Sequence, residues 1–254
     1  MRLATFNILN GRAPDDSQVD LDVFAAAIAS LDADVLALQE VDRNQPRSEH
    51  ADLTAAAAAA MGATEHRFVA ALNGSPGATW VAATGEEQPH AAAYGIALLS
   101  RLPVAAWEVV RLPTLRSAVP MRFRGSWRPV LVRDEPRVGV AAVLEGPAGP
   151  MTVANTHLSF VPWWNTRQLR ALTGALAGTP RPLVLVGDLN LEPDRVRRAT
   201  GLRSLVEAPT FPVQLPTQQL DHVLVDGDLR VRAAEARALP VSDHRALVVE
   251  LDLG

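Results

Sequence analysis

Several apolar runs in this chain end in side chains that can bind a cation or move a proton. Leu3–Phe6 runs into Asn7, and Val35–Leu38 runs into Gln39 and Glu40. Val153–Ala154 leads to Asn155, Thr156 and His157, and Leu183–Val186 leads to Gly187, Asp188, Leu189 and Asn190. Asp221 and His222 open a later run, and Ser242, Asp243 and His244 precede the last one. If strand ends gather at one edge of a sheet, these carboxylates, imidazoles and amides converge. Oxygen donors without any thiolate suit a hard cation such as Mg²⁺ or Mn²⁺. Such an ion completes its shell with substrate phosphate oxygens, polarises a phosphoryl oxygen and helps generate a nucleophilic water. Histidines nearby can move a proton near neutral pH or stabilise charge on phosphorus. Phosphate-ester hydrolysis follows from this set more naturally than peptide or glycoside cleavage.

The elements that must position these residues are legible as short runs bounded by turn residues. Strands are predicted at Leu3–Ile8, Asp34–Val41, Arg67–Leu72, Gly95–Leu99, Val104–Leu112, Val138–Glu145, Met151–Thr156, Leu183–Gly187, Asp221–Val225 and Ala246–Leu251. Runs such as VLAL and LVLV are apolar at consecutive positions, the pattern of strands covered on both faces. Helices are predicted over Val19–Leu31, with Asp16 and Ser17 as cap candidates, over the alanine-rich Asp52–Met61, and over Val161–Leu176. The loops at 73–92 and 113–136 are long and polar, which in a compact domain usually means function or mobility. No repeat or linker interrupts the chain, and a single α/β domain spanning 1–254 is expected.

Composition bounds the partners. With 254 residues, 48% of them hydrophobic and 20% charged, the chain is globular rather than disordered. No apolar stretch is long enough for a membrane-spanning helix, and the absence of cysteine excludes disulfides, thiolate metal sites and a cysteine nucleophile. The start MRLATFN lacks an apolar leader region, so no export signal and a cytoplasmic location are expected. A monomer is expected. All 24 basic residues are arginine; base composition of the coding sequence is the simplest explanation. The charge is uneven: residues 1–110 hold six arginines against 14 acids, and residues 111–254 hold 18 against 14. Seven arginines lie between Arg111 and Arg137, so an anionic substrate would be drawn towards that segment, although a net charge of −4 argues against a general nucleic-acid coat.

Seven motifs in order, TFN at 5–7, LQE at 38–40, YGIALLSR at 94–101, NTHL at 155–158, GDLN at 187–190, QLDHVL at 219–224 and SDHRAL at 242–247, resemble the endonuclease/exonuclease/phosphatase superfamily of metal-dependent phosphohydrolases. The resemblance covers nearly the whole chain and implies a four-layer α/β sandwich like that of deoxyribonuclease I: two packed mixed sheets with helices outside. By the same resemblance Glu40 is the principal ligand of Mg²⁺ or Mn²⁺, with Asn7 and Asp243 beside the metal. Asp188 would orient the attacking water, Asn190 would hold a phosphate oxygen, and His244 would hydrogen-bond the scissile phosphate with Asp221 behind it. His157 is the second imidazole, and Tyr94 would reach a substrate phosphate oxygen.

Each of these residues also has a plain reading. A lone strand-end Asn is a turn residue, and Asp188 or Asp243 alone would be a turn carboxylate. His222 adjoins Asp221 in a strand, where side chains alternate, and is expected to be structural. His50, His66 and His90 are expected on the surface. Trp163 and Trp164 either cap the core or form a stacking wall beside the phosphate, and Arg167 and Arg170 face either the site or solvent. Arg122, Arg124 and Arg128 are candidates for contacting substrate anions.

The sequence also departs from its relatives. In the deoxyribonuclease I branch an acidic residue two positions after the tyrosine orients the first histidine; here Ile96 stands there. Leu9 replaces the aspartate of the apurinic endonucleases, which disfavours abasic-site repair. The expected activity is a divalent-metal-dependent phosphodiesterase or nuclease acting on a phosphate ester, with nucleic acid a candidate substrate. A phospholipid (sphingomyelinase-like) or inositol-phosphate hydrolase is the alternative, with Trp80 the one plausible lipid anchor in its loop, and an inactive phosphate-binding relative is the third reading.

Overall fold

A computed structural model describes residues 1–16, 18–122, 127–146 and 149–253. The first half of the chain forms β1 (Arg2–Asn7), α1 (Leu21–Ser30), β2 (Val35–Arg43), α2 (Leu53–Met61), β3 (Glu65–Gly74), β4 (Trp80–Ala82), β5 (Ala93–Ser100) and β6 (Val104–Arg111). A short hairpin, β7 (Val119–Met121) with β8 (Val130–Val132), leads to β9 (Val138–Gly146) and β10 (Gly149–His157). The remainder forms α3 (Pro162–Ala175), β11 (Leu183–Asp188), α4 (Pro193–Thr200), β12 (Arg203–Ser204), β13 (Asp221–Asp226), β14 (Arg230–Arg237) and β15 (Ala246–Asp252).

The strands build two large mixed sheets, in the orders β14-β15-β1-β2-β5-β3-β4 and β12-β13-β11-β10-β9-β6. Each contains one central parallel pair, β1 with β2 and β10 with β11, and is otherwise antiparallel. One apolar cluster, including Leu3, Val35, Ile96, Leu98, Val140, Val153, Val184 and Val249, fills the space between the sheets. A second, with Phe6, Phe24, Ile28, Leu36 and Leu53, seats α1 and α2 on the outer face of the first sheet. A third, with Leu169, Leu172, Leu185 and Val196, seats α3 and α4 on the second. Central strands are therefore covered on both faces, as their unbroken apolar runs require, and the architecture is the expected four-layer α/β sandwich.

The predicted strands all form, with ends moved by two residues at most. Elements without a strong apolar pattern were not predicted. Strand β14 is an exposed, arginine-rich edge whose pairing with β15 makes it a strand. Helix α4, PDRVRRAT, buries only Val196. The start of α1 also differs from expectation. Asp20 caps it, its carboxylate accepting from the amides of Asp22 and Val23 at 3.0 Å, so Asp16 is not the cap; Ser17 lies outside the described residues. Asp52 likewise caps α2 rather than joining it, by accepting from Thr54 and Ala55.

Topology places the polar strand ends at one edge of the sandwich. The last residues of the two parallel pairs lie there. In register, Asn7 stands opposite Gln39, His157 opposite Asp188, and Asp188 opposite Asp221 across the antiparallel neighbour β13.

Candidate active site

Glu40 reaches the site because β2 is bulged. Leu38 pairs with Ala97 and Val41 with Gly95, so Gln39 and Glu40 together oppose Ile96. Glu40 takes the left-handed conformation at φ 57°, an uncommon one for a residue with a side chain that persists only where the surroundings enforce it. Two interactions enforce it. Asn10, also left-handed, donates from Nδ2 to the Glu40 carbonyl at 3.2 Å. Gln39 points into the protein, its Nε2 donating to Thr5 Oγ1 at 3.0 Å and to Asn155 Oδ1 at 2.7 Å. Behind the bulge, Gly95 of the YGI motif is required sterically, since a Cβ there would lie 2.0 Å from the Val69 carbonyl oxygen.

Asn7, 1% exposed, joins the sheets at the site. Its Nδ2 donates to Glu40 Oε1 at 3.1 Å and to Asp188 Oδ2 at 3.0 Å. Asp188 accepts a further bond on Oδ1 from the Asn190 amide at 3.0 Å. The turn that presents this pair needs Gly187, at φ 132°, where a Cβ would meet the Thr156 carbonyl oxygen at 1.9 Å. Asn190 points its Nδ2 at the Leu158 carbonyl at 3.1 Å and lies 3.4 Å from His157 Nε2.

The two imidazoles differ electrostatically. His244 Nδ1 donates to Asp221 Oδ2 at 2.8 Å, which leaves Nε2 directed into the site, 3.9 Å from Asp188 Oδ2. Burial opposes its charge, but the charge and hydrogen bond of Asp221, then Asp188 and Asp243, outweigh burial and push it up to about 10. His244 is therefore a cation at neutral pH. His157, with Nε2 3.6 Å from Asp188 Oδ2, is held well below its ordinary value by burial first and by Arg137 and His244 after it. It is neutral, so its approach to Asp188 is not an ion pair. Among the described residues Asp188 is the only carboxylate within 4 Å of His157, and it faces Nε2; Ile96 lies in the core between the sheets. Burial, and then the charge of Asp221, raise Asp188 to about 7.

Which residues could hold a cation follows from these charges. Glu40 is raised by burial first, and Asp243 adds to the shift, while the Asn7 hydrogen bond, His244 and Arg137 offset it. No cationic side chain lies within 4 Å of Glu40 among the described residues. A desolvated carboxylate with an acidic neighbour, an amide and no close counter-charge is a donor set that fits a hard divalent ion. Asp243 is carried beside it by the loop that Ser242 ties to β1, Ser242 Oγ donating to the Asn7 carbonyl at 2.6 Å. The ligand atoms of Asp188, Asp221 and His244 also lie within 4.8 Å of one another. There Asp221 Oδ2 already accepts from His244 Nδ1, while Asp221 Oδ1 is buried without a partner among the described residues.

Two residues that sequence reasoning did not single out line the same cleft. Arg137, 6% exposed, sits 3.6 Å from Glu135 and leaves its Nε without a partner. Its charge is felt by Glu40, Tyr94 and His157. Arg47 binds the buried Asp42 through Nε and Nη2, both at 2.8 Å, and lies 5.5 Å from the Tyr94 ring centroid. The seven-arginine count pointed at the neighbourhood of Arg137, but only burial separates it from its exposed neighbours.

The remaining candidates separate. Tyr94 is buried beside Glu40, with its phenol pushed up by burial and then by that carboxylate. Trp80 stacks on Tyr94 at 5.8 Å and donates from Nε1 to Glu135 at 3.4 Å. Trp164 is buried and Trp163 is 55% exposed, their rings edge to face at 5.4 Å, with Arg167 over Trp164 at 4.9 Å. Arg170 is turned to the Ala199 carbonyl of α4. Arg122 is exposed, Arg128 stacks on the exposed Trp127 at 4.4 Å, and Arg124 lies outside the described residues. His222 points to the Leu191 carbonyl at 2.7 Å, away from the site as strand alternation requires. His50, His66 and His90 are exposed.

Fold and site together define a phosphoesterase-type hydrolase. The profile of the Endonuclease/Exonuclease/phosphatase family matches residues 4–244, and the chain belongs to that family. No curated protein matches it in sequence. Among solved structures it is similar to an endonuclease/exonuclease/phosphatase from Beutenbergia cavernae DSM 12333 (24% identity, TM-score 0.71, covering 100% of this chain and 72% of that one). It is also similar to the mannosyl-6-phosphatase Bt3783 of Bacteroides thetaiotaomicron VPI-5482 (15%, TM-score 0.64, all of both chains). A third match is sphingomyelinase C from Streptomyces griseocarneus (16%, TM-score 0.62, 98% of both chains). At these identities the structures speak for the fold. No helix among the described residues is long and apolar enough to cross a membrane.

Proposed function

We propose that the protein is a divalent-metal-dependent phosphodiesterase that cleaves a nucleic acid or nucleotide-like diester by attack of water on phosphorus. The observation that carries this reading is the single array in which Asn7 bridges Glu40 and Asp188, while His244, held cationic by Asp221, faces Asp188 from the other side.

Glu40, Asn7 and Asp243 would hold Mg²⁺ or Mn²⁺, which supplies Lewis-acid polarisation of a phosphoryl oxygen and a lowered water pKa. The chain's own residues do the rest. Asp188, poised near neutrality, accepts the proton of the attacking water as its oxygen bonds to phosphorus and the scissile P–O bond breaks, the departing alkoxide taking its proton from solvent water. Asn7 and the Asn190 amide fix the orientation of that carboxylate. The Nε2–H of His244 donates to a non-bridging oxygen as negative charge accumulates there, with Asp221 holding the ring. Neutral His157 and the Asn190 side chain complete the donors around the phosphate, and Tyr94 and Arg137 line its far side. The buried donors are already oriented, so little reorganisation opposes the transition state.

A lipid substrate has less support. Trp80, the residue a membrane-approaching loop would have offered, is engaged with Tyr94 and Glu135. A panel of plasmid DNA, single-stranded DNA, RNA, sphingomyelin and inositol phosphates, assayed with Mg²⁺, Mn²⁺ or EDTA, tests the proposal, with Asp188→Asn as the blank. Turnover of a nucleic-acid diester that EDTA abolishes is expected. Turnover confined to sphingomyelin or phosphomonoesters, or activity that persists in EDTA, would overturn it.

A further inference from the structure

A second cluster of cations lies outside the catalytic cleft. Arg43, Arg67 and Arg111, with Thr84, Gly85 and Glu87, line a groove of about 610 Å³ between β3 and β6, the outer strands of the two sheets on that side. Strand β4 covers β3 only from Leu72 to Gly74, so the uncovered edge of β3 forms part of the wall. No carboxylate lies within 4 Å of any of these three guanidinium groups among the described residues; by contrast, Arg2, Arg47, Arg101 and Arg181 all have one. Glu87, the acid in the groove, turns its carboxylate to the backbone amides of Thr84 and Gly85. Glu108 is on the opposite face of β6 from Arg111, because side chains alternate along a strand. Two of them lie against aromatic rings: Arg43, whose Nε also donates to the Ala91 carbonyl at 3.4 Å, is 4.8 Å from the centroid of Phe68, and Arg67 is 6.0 Å from that of Trp107.

Register shows how the groove relates to the catalytic cleft. Arg43 pairs with Ala93, next to Tyr94, and Arg111 pairs with Val138, next to Arg137, so both mark the active-site end of their sheets. Arg67 pairs with Leu98, five residues further along β5, or ~17 Å at the rise of a strand. Three arginines without a carboxylate partner among the described residues thus line one groove, Arg67 and Arg111 from the faces of β3 and β6 turned between the sheets and Arg43, beside Phe68, from the other face of the first sheet. Three arginines against the single acid Glu87, whose carboxylate is taken up by backbone amides, leave the groove net positive, and a polyanion offsets that charge.

We propose that this groove is a track for the phosphates of a single-stranded polynucleotide, continuing from the cleft past Arg43 and Arg111 to Arg67. This deepens, and rests on, the phosphodiesterase reading above. A concave trough between sheet edges takes a flexible chain rather than a flat bilayer. Guanidinium planes backed by aromatic rings suit phosphate contact and base stacking alike.

The test uses Arg67→Ala/Arg111→Ala, both residues being exposed, with Arg67→Lys/Arg111→Lys as the charge-retaining control and thermal melting to confirm folding. The first readout is anisotropy of fluorescein-labelled oligo(dT) in EDTA between about 50 and 200 mM salt. Loss of two phosphate contacts should flatten the slope of log K against log [salt] by about 1.4, at ~0.7 per contact for a single strand. The Lys variant should keep most of the slope. The second readout is hydrolysis of bis(p-nitrophenyl) phosphate, which should be unchanged, while kcat/KM on long oligonucleotides falls. An unaltered slope, or equal losses on both substrates, would overturn the track. So would loss of binding to phosphatidylserine vesicles with oligo(dT) binding intact, which would make the groove a membrane contact. Failure of the wild type to cleave any diester would sink the phosphodiesterase reading instead, and the anisotropy result would still judge the groove.

Discussion

Asn155, on the second sheet, donates from Nδ2 to the carbonyl of Leu38, on the first, at 2.9 Å. The same amide reaches the Ala97 carbonyl at 2.8 Å, and its Oδ1 accepts from Gln39. Leu38 and Ala97 are the last pair before the β2 bulge, so one side chain ties the two sheets together where the ladder is interrupted and Glu40 is turned outward. The asparagine of the NTHL motif thus holds the bulge rather than touching substrate.

Replacing Asn155 with Ala should therefore damage both stability and catalysis. Two buried carbonyls lose their donor, at about 1–3 kcal/mol each, and the support of Glu40 loosens. Urea denaturation and kcat/KM per folded molecule measure the two effects. Lost stability with full activity would mean that Asn10 and the β5 pairing hold Glu40 unaided.

Glu40→Gln should keep the fold and lose most activity, because the carboxylate charge proposed to hold the cation is gone. The loss is expected to be several kcal/mol of transition-state stabilisation. Calorimetric titration with Mn²⁺ should show weakened binding in the variant, and EDTA should silence the wild type. Wild-type turnover in Glu40→Gln would remove this residue from the metal site.

The two histidines should not be equivalent. General acid–base groups contribute ~10²–10⁴ in rate. His244→Ala should fall near the upper end, because Asp221 stands behind His244, and His157→Ala should lose less, because no second carboxylate lies within 4 Å of His157 among the described residues. A larger loss for His157→Ala would show that a group other than the one replaced by Ile96 orients it.

The charge on His244 also predicts a pH dependence of stability. Its pKa is raised from 6.5 to about 10 on folding, so the folded state binds the extra proton in that window. The stabilisation is complete below pH ~6.5 and is lost as pH rises towards 10, by up to about 1.4 kcal/mol per pH unit. Unfolding free energies of the metal-free wild type and His244→Gln, compared between pH 6 and 10, should converge as pH rises. A constant gap would place the shift elsewhere.

Arg137 is buried with its Nε unpartnered, and on the proposed reading it donates to the substrate. Arg137→Lys keeps the charge but not the planar fork, and should lower kcat/KM about ten- to hundredfold, the range of one charge-assisted hydrogen bond. Melting temperature separates this from misfolding. Unchanged kinetics in Arg137→Lys would leave Arg137 with a structural role only.

Much of this protein is written locally. Consecutive apolar residues identified the central strands, since a strand buried on both faces has no polar side to show. Motif order placed Asn7, Glu40, His157, Asp188, Asp221, Asp243 and His244, because each sits at the end of such a run. The edge strand β14 and helix α4 were illegible, because their conformation comes from neighbours rather than from an apolar pattern. Tertiary structure alone decided the charges. Whether an imidazole is cationic depends on what packing brings to it, the Asp221 carboxylate for His244 and burial beside Arg137 for His157. It also decided which arginines matter: identical in composition, Arg137 and Arg122 are separated only by burial. Arg67 and Arg111 line one groove only because two sheets, built from distant segments, bring β3 and β6 side by side.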